Sequence, residues 1–226
     1  MKRTLCLLAG FALLAFAATT AQAQVIAQWT FETSVPNTAG PFAPEVGSGS
    51  ALGFHAGASV YTSPAGNGSP HAFSSTNWAI GDYYQFQSST IGFSGIKISW
   101  DQTSSNTGPG RETLQYSTDG TTFTQFGSEL TILANASPNP TWNSSTASPI
   151  YTFSFDLSSL SALNNASAVY FRLVDSSTIS ANGGTVAPTG TDRVDNFTIA
   201  LVPEPTAISL LGGLGLLGLC LKNRRK

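Results

Sequence analysis

The sequence predicts an all-β fold, a single antiparallel β-sandwich. Three observations carry this. Apolar and polar residues alternate with a period of two in one run after another. Gly, Pro, Ser and Asn gather between those runs, where turns and loops need them. Long charged stretches of helical periodicity are absent.

In chain order, the first strands are expected at 26–31, 52–60 and 83–87. Ile96-Lys97-Ile98-Ser99-Trp100-Asp101 then alternates as a half-buried strand does. Segments 114–117 and 122–126 flank Asp119-Gly120, a pair favoured in type I′ hairpin turns because both positions need positive φ. Thr152-Phe153-Ser154-Phe155-Asp156-Leu157, the run 169–173 and the run 195–201 complete about nine strands. Longer loops are expected at 37–50, 62–77, 103–110, 135–149 and 176–190. Trp29 and Trp100 sit inside strands and belong to the core.

Both chain ends differ from this body. Met1-Lys2-Arg3, the apolar run 5–18 and Ala21-Gln22-Ala23 read as a secretory signal peptide over 1–23, cleaved after Ala23. Such a peptide engages the general secretion machinery. At the other end stand Val202-Pro203-Glu204-Pro205, an apolar segment at 206–221 and a basic tail with Lys222, Arg224, Arg225 and Lys226. A helix of that length spans about 24 Å, short of the roughly 30 Å hydrocarbon core. The basic tail would hold the C-terminus on the cytoplasmic side. These three parts, in this order, resemble the PEP-CTERM sorting signal of Gram-negative bacteria, here over 202–226. The resemblance implies an exosortase as partner, processing near Pro203, Glu204 and Pro205, and passage from the inner membrane to the cell surface or extracellular matrix.

The intervening domain, 24–201, has Lys97, Arg111, Arg172 and Arg193 against eleven acidic residues, a net charge of −7. That excludes a basic nucleic-acid surface. Cys6 and Cys220 lie outside it, so no disulfide supports the domain. Gln28-Trp29-Thr30-Phe31-Glu32, Ile98-Ser99-Trp100-Asp101, Tyr116-Ser117-Thr118-Asp119-Gly120 and Arg193-Val194-Asp195-Asn196-Phe197 resemble a jelly-roll domain often attached to this signal. Such domains are similar to concanavalin-like and carbohydrate-binding sandwiches, in which the first and last strands are neighbours.

That resemblance implies that Glu32 approaches Asp195, with Asp192 as a third carboxylate, a set that would suit structural Ca²⁺. The alternative is that these acids are solvated or paired with Arg193. Trp78, Asp82, Tyr83, Tyr84 and Trp142 lie in or beside loops and are candidates for stacking on and bonding to a sugar. The alternative is that the aromatic residues fill the core. Catalytic signals are weak. Glu112 and Glu129 form no paired motif, His55 and His71 stand far apart, and no Gly-x-Ser-x-Gly elbow occurs. A Ser-His-Asp triad assembled in space stays open. The Gly-x-Gly-x-x-Gly match at 213–218 lies in the apolar segment with no strand before it. The expected function is a non-enzymatic, exported carbohydrate-binding or adhesive module. A structural coat or biofilm-matrix component and a glycan-active enzyme are the alternatives.

Overall fold

Eleven strands and two 3₁₀ turns, Pro149–Tyr151 and Ser161–Leu163, make up the fold. The computed structural model describes residues 23–33 and 35–203. The strands are β1 (Val25–Trp29), β2 (Gly49–Phe54), β3 (Tyr61–Thr62), β4 (Phe73–Thr76), β5 (Tyr83–Ser88), β6 (Ile96–Ser104), β7 (Arg111–Ser117), β8 (Thr124–Thr131), β9 (Thr152–Asp156), β10 (Val169–Asp175) and β11 (Thr191–Leu201).

They form two antiparallel sheets. Sheet I has the order β3-β4-β11-β6-β9, with β1 also paired to β11; sheet II has the order β2-β5-β10-β7-β8. From β4 onward the chain passes from one sheet to the other at almost every step. The orders β4-β11-β6-β9 and β5-β10-β7-β8 are those of a jelly roll, as expected.

The inner faces meet in an aromatic core. Phe86 of β5 and Phe197 of β11 stack across the sandwich, and Trp29 meets both edge-on at 5.4 and 6.1 Å. Ile96, Ile98 and Trp100 line β6, while Leu114, Phe171 and Leu173 face them from sheet II; all are buried. This core lies wholly within the compact unit Ala23–Val202. Phe153 and Phe155 of β9 stack on Trp100, and Phe126 of β8 meets Phe155 edge-on. These contacts close the sandwich between its edge strands.

β11 changes phase midway. Its pairing with β6 slips between Asp195 and Thr198, and Asn196 has a φ of 54°. Asp192 and Val194 face inward before this bulge; Phe197 and Ile199 do so after it. The extra residue breaks the two-residue alternation.

Several expectations change. The strand expected at 52–60 runs over Gly49–Phe54, and eleven strands stand where about nine were expected. The loop expected at 62–77 contains β4, hidden by its sequence Phe-Ser-Ser-Thr; Ser74 and Ser75 are buried there. β6 runs on into the loop expected at 103–110. The hairpin between β7 and β8 is not a two-residue type I′ turn, because Gly120 has positive φ and Asp119 does not. Asp119 Oδ1 instead accepts from the amides of Thr121 and Thr122 and from the Ser117 hydroxyl. Those bonds, led by the Thr122 amide, hold its carboxyl well below the usual range.

Candidate functional site

The outer face of sheet II is the most developed surface of the domain. Cross-strand register puts its side chains in rows. One row is Leu52, Gln85, Arg172, Gln115 and Gln125, another is Phe54, Tyr83, Val174 and Thr113, and a third includes Ser50, Gln87 and Tyr170. Phe54 is 45% exposed and stacks on Tyr83, with centroids 5.0 Å apart and planes 17° from parallel.

Arg172 lies at the centre. Its guanidinium carbon sits 3.9 Å from the Tyr83 ring centre and 3.5 Å from that of Phe123. Its Nε donates to Gln85 Oε1 at 2.8 Å. Partial burial draws its pKa below the usual value, opposed by Tyr83, but an arginine stays charged. The β7–β8 loop makes this geometry. It folds back over the face so that Gly120 lies on Tyr170 and Phe123 on Arg172. A β-carbon on Gly120 would come within 3.0 Å of the Tyr170 ring. Flat rings beside side-chain amides, each carrying donors and acceptors, suit a hydroxyl-rich ligand.

Of the expected sugar-binding residues, Tyr83 alone belongs to this face. Trp78 is 6% exposed and packs on His55 and Tyr84, its Nε1 donating to the Ser75 carbonyl. Tyr84 and Asp82 are fully buried. Trp142 is 5% exposed and forms a small satellite core with Tyr151 and Ala72. Trp78 and Tyr84 therefore belong to the main core and Trp142 to the satellite cluster. Sequence reasoning missed Phe54, Phe123, Tyr170, Arg172 and the glutamines. Their signal was present, since outward positions at i, i+2 and i+4 of β5 and β10 read Tyr-Gln-Gln and Tyr-Arg-Val.

The expected calcium set does not assemble. β1 and β11 do lie side by side, with Trp29 opposite Phe197. Glu32 and Asp195 both reach the 66–71 loop. Glu32 Oε1 accepts from the His71 amide at 3.2 Å, and Asp195 Oδ2 accepts from Ser69 Oγ at 2.7 Å and the Asn67 amide at 2.9 Å. Asp195 Oδ1 accepts from the Asn196 amide at 2.7 Å. Protein donors thus engage both oxygens of Asp195, the lone pairs that a cation would need there. Burial raises the Asp195 pKa to about 7 despite these bonds. Asp192, on the other side of the bulge, turns into the sandwich. No three His, Cys, Asp or Glu among the described residues are placed to hold a metal.

Inside, Gln102 Nε2 bridges Glu112 Oε2 at 2.8 Å and Asp192 Oδ2 at 2.9 Å, while Gln102 Oε1 accepts from Trp100 Nε1. Glu112 Oε1, Asp192 Oδ1 and Asp175 Oδ2 have no hydrogen-bond partner among the described residues. Burial raises Glu112 well above the carboxylate range, and the Asp192 charge raises it further. Glu129, by contrast, is at the surface, 3.6 Å from Arg111. The two glutamates weighed as a catalytic pair therefore have different surroundings.

A triad-like contact order does occur. Ser75 Oγ lies 2.9 Å from His55 Nε2, and His55 Nδ1 lies 2.9 Å from Asp82 Oδ2. Burial lowers the His55 pKa against the pull of Asp82, so the ring is neutral. Nδ1–H then donates to the carboxylate and Nε2 accepts from Ser75. Yet Ser75 is wholly buried in β4, and its Oγ also meets the Tyr84 hydroxyl at 2.8 Å. Tyr84 in turn donates to the Asp192 carbonyl. The chain of contacts joins β4, β5 and β11, and a substrate carbonyl has no approach to Ser75.

The family model for the PEP-CTERM protein-sorting motif matches residues 201–226. The chain carries a PEP-CTERM sorting motif. Its first residues, through Pro203, are described. Glu204, Pro205, the expected span 206–221 and the basic residues Lys222, Arg224, Arg225 and Lys226 lie outside the described residues, as do 1–22 with Ala21. No helix among the described residues is long and apolar enough to cross a membrane.

No curated protein matches this chain. Solved structures that it is similar to include the K2 cleaved adhesin domain of Lys-gingipain, at 16% identity and a TM-score of 0.44, covering 77% of this chain and 98% of that one. Another is the CBM22-2 xylan-binding domain of Paenibacillus barcinonensis Xyn10C, at 12% identity and a TM-score of 0.42, covering 77% and 98%. A third is the CBM22-1–GH10 portion of Clostridium thermocellum xylanase 10B, at 13% identity and a TM-score of 0.45; the match covers 82% of this chain and 30% of that one.

Proposed function

We propose that this chain is an exported cell-surface or extracellular-matrix protein whose sandwich binds polysaccharide, without cleaving it, through the outer face of sheet II. The carrying observation is the platform of Phe54, Tyr83, Arg172 and Phe123 bordered by Gln85, Gln87 and Gln115. Ring faces pack on the C–H faces of pyranoses, and amides bond to hydroxyls in either sense. The cross-strand rows contain no carboxylate pair of the kind glycoside hydrolysis uses. The sorting motif supports delivery through the general secretion machinery and an exosortase, from the inner membrane to the surface of a Gram-negative cell.

Affinity electrophoresis of the purified full-length chain through gels of immobilised polysaccharides tests this reading. Retardation by at least one polymer is expected, abolished by Tyr83→Ala and Phe54→Ala and kept in Trp142→Phe. Retardation untouched by both face variants would overturn the site. Absence of retardation across the panel would favour a structural coat component.

A further inference from the structure

The domain is acidic, and three of its four cations have a carboxylate at hand. Arg111 lies 3.6 Å from Glu129, Lys97 stands opposite Asp156 on the paired strand, and Arg193 feels the charge of its neighbour Asp192. Arg172 has no carboxylate within 4 Å among the described residues. It is nonetheless the most carefully held side chain of its face. Two aromatic rings lie against the guanidinium, and Gln85 takes Nε. The terminal nitrogens make no hydrogen bond within the described residues.

That arrangement narrows what can dock. With two rings packed against the guanidinium and Nε engaged, the terminal N–H groups are what it offers a ligand. An in-plane pair of N–H donors matches the two oxygens of a carboxylate. The cross-strand partners of Arg172 are Gln85 and Gln115, both neutral, and the rows of Tyr83 and Tyr170 on either side are uncharged. In a domain of net charge −7, the other charges of this face, Arg111 and Glu129, lie 3.6 Å from each other at its β7–β8 edge, so Arg172 is the one cation of the face without an acid beside it among the described residues.

We propose that the sheet II face selects acidic polysaccharide, the carboxylate of a uronic acid residue docking edge-on to Arg172 while neighbouring sugar rings lie on Tyr83 and Phe54. This rests on the polysaccharide-binding reading above and adds the charge class of the ligand. The rings fix the guanidinium before the ligand arrives, so less side-chain freedom is lost on binding. The neutral glutamines keep that edge unoccupied until then.

The test uses the full-length chain and matched pairs of polymers: alginate, polygalacturonate and glucuronan, each beside its carboxyl-reduced, neutral counterpart. At least one acidic member is expected to bind ten times or more tightly than its reduced partner, with affinity falling as salt rises. Arg172→Lys should lose most of that preference, since an ammonium offers no planar fork. Gln115→Glu supplies an internal carboxylate at the cross-strand position and should weaken acidic-polymer binding at least tenfold with the melting temperature retained. Equal binding of the acidic and neutral members would overturn the acid selection and leave the polysaccharide-binding face standing. Binding of sulfated polymers in place of the uronates would overturn the carboxylate assignment. Failure of every member of every pair to bind would overturn both readings.

Discussion

Phe86 of β5 and Phe197 of β11 stack face to face across the sandwich, with ring centroids 3.7 Å apart and planes 1° from parallel. Both are fully buried, and each also meets Trp29. Without disulfides in the domain, stability rests on contacts of this kind. Phe197→Ala should cost about 3–5 kcal/mol, read from chemical denaturation. A cost below about 1 kcal/mol would show that the core closes over the gap.

Buried carboxylates set the pH dependence. Asp175, Asp192 and Asp195 are raised to about 6, about 8 and about 7, and Glu112 is raised with them, in each case chiefly by burial. A carboxyl whose folded pKa is raised binds its proton more tightly in the folded state. Its contribution is complete below the unfolded pKa near 4 and is lost as pH rises through the folded value. His55 works in the opposite sense, because its folded pKa is lowered; its contribution is lost as pH falls below about 6.5. Thermal stability should therefore peak in mildly acidic solution, at roughly pH 5–6, and decline toward pH 8. Glu112→Gln should flatten that decline. A melting temperature that rises steadily from pH 5 to pH 8 would contradict it.

Asp195 should act as a hydrogen-bond anchor for the 66–71 loop. Asp195→Ala leaves Asn67, Ser69 and Asn196 donors without their acceptor and should cost at least about 2 kcal/mol. Millimolar Ca²⁺ should leave the melting temperature of the wild-type chain unchanged. A calcium-dependent rise, lost in Glu32→Gln, would instead place a cation between Glu32 and Asp195.

The Ser75–His55–Asp82 contacts should be structural. A fluorophosphonate probe should fail to label Ser75 in the folded chain, and Ser75→Ala should lower the melting temperature. Labelling lost in both Ser75→Ala and His55→Ala would reveal a nucleophile that opens to solvent.

Most of the fold was legible in the sequence. Ile96 to Trp100 and Phe153 to Phe155 alternate cleanly because one side of each strand meets the core. β4 was hidden because Phe73, Ser74 and Ser75 are all buried, with Ser75 bonded to His55 and Tyr84 rather than hydrated. Loop composition says nothing about burial, and so it misplaced Trp78 and Trp142. Tyr83 was singled out because it follows a turn. Arg172 was not, since a lone arginine in an alternating strand looks like any solvated charge. Its meaning depends on Phe123, which reaches it only once the β7–β8 loop folds back.

The bulge at Asn196 divides β11 into two reading frames. The segment up to Asp195 is in one frame and the segment from Phe197 onward in the other, so a hydrophobic pattern valid for either half is wrong for the other. Removing Asn196 alone would leave Val194 inward, Asp195 outward and Phe197 inward in one unbroken alternation, at the loss of its bond to Asp101. Removing a second residue with it would turn one half of the strand over, Asp195 into the core or Phe197 out of it. The strand therefore tolerates the loss of its bulge residue and not the loss of two.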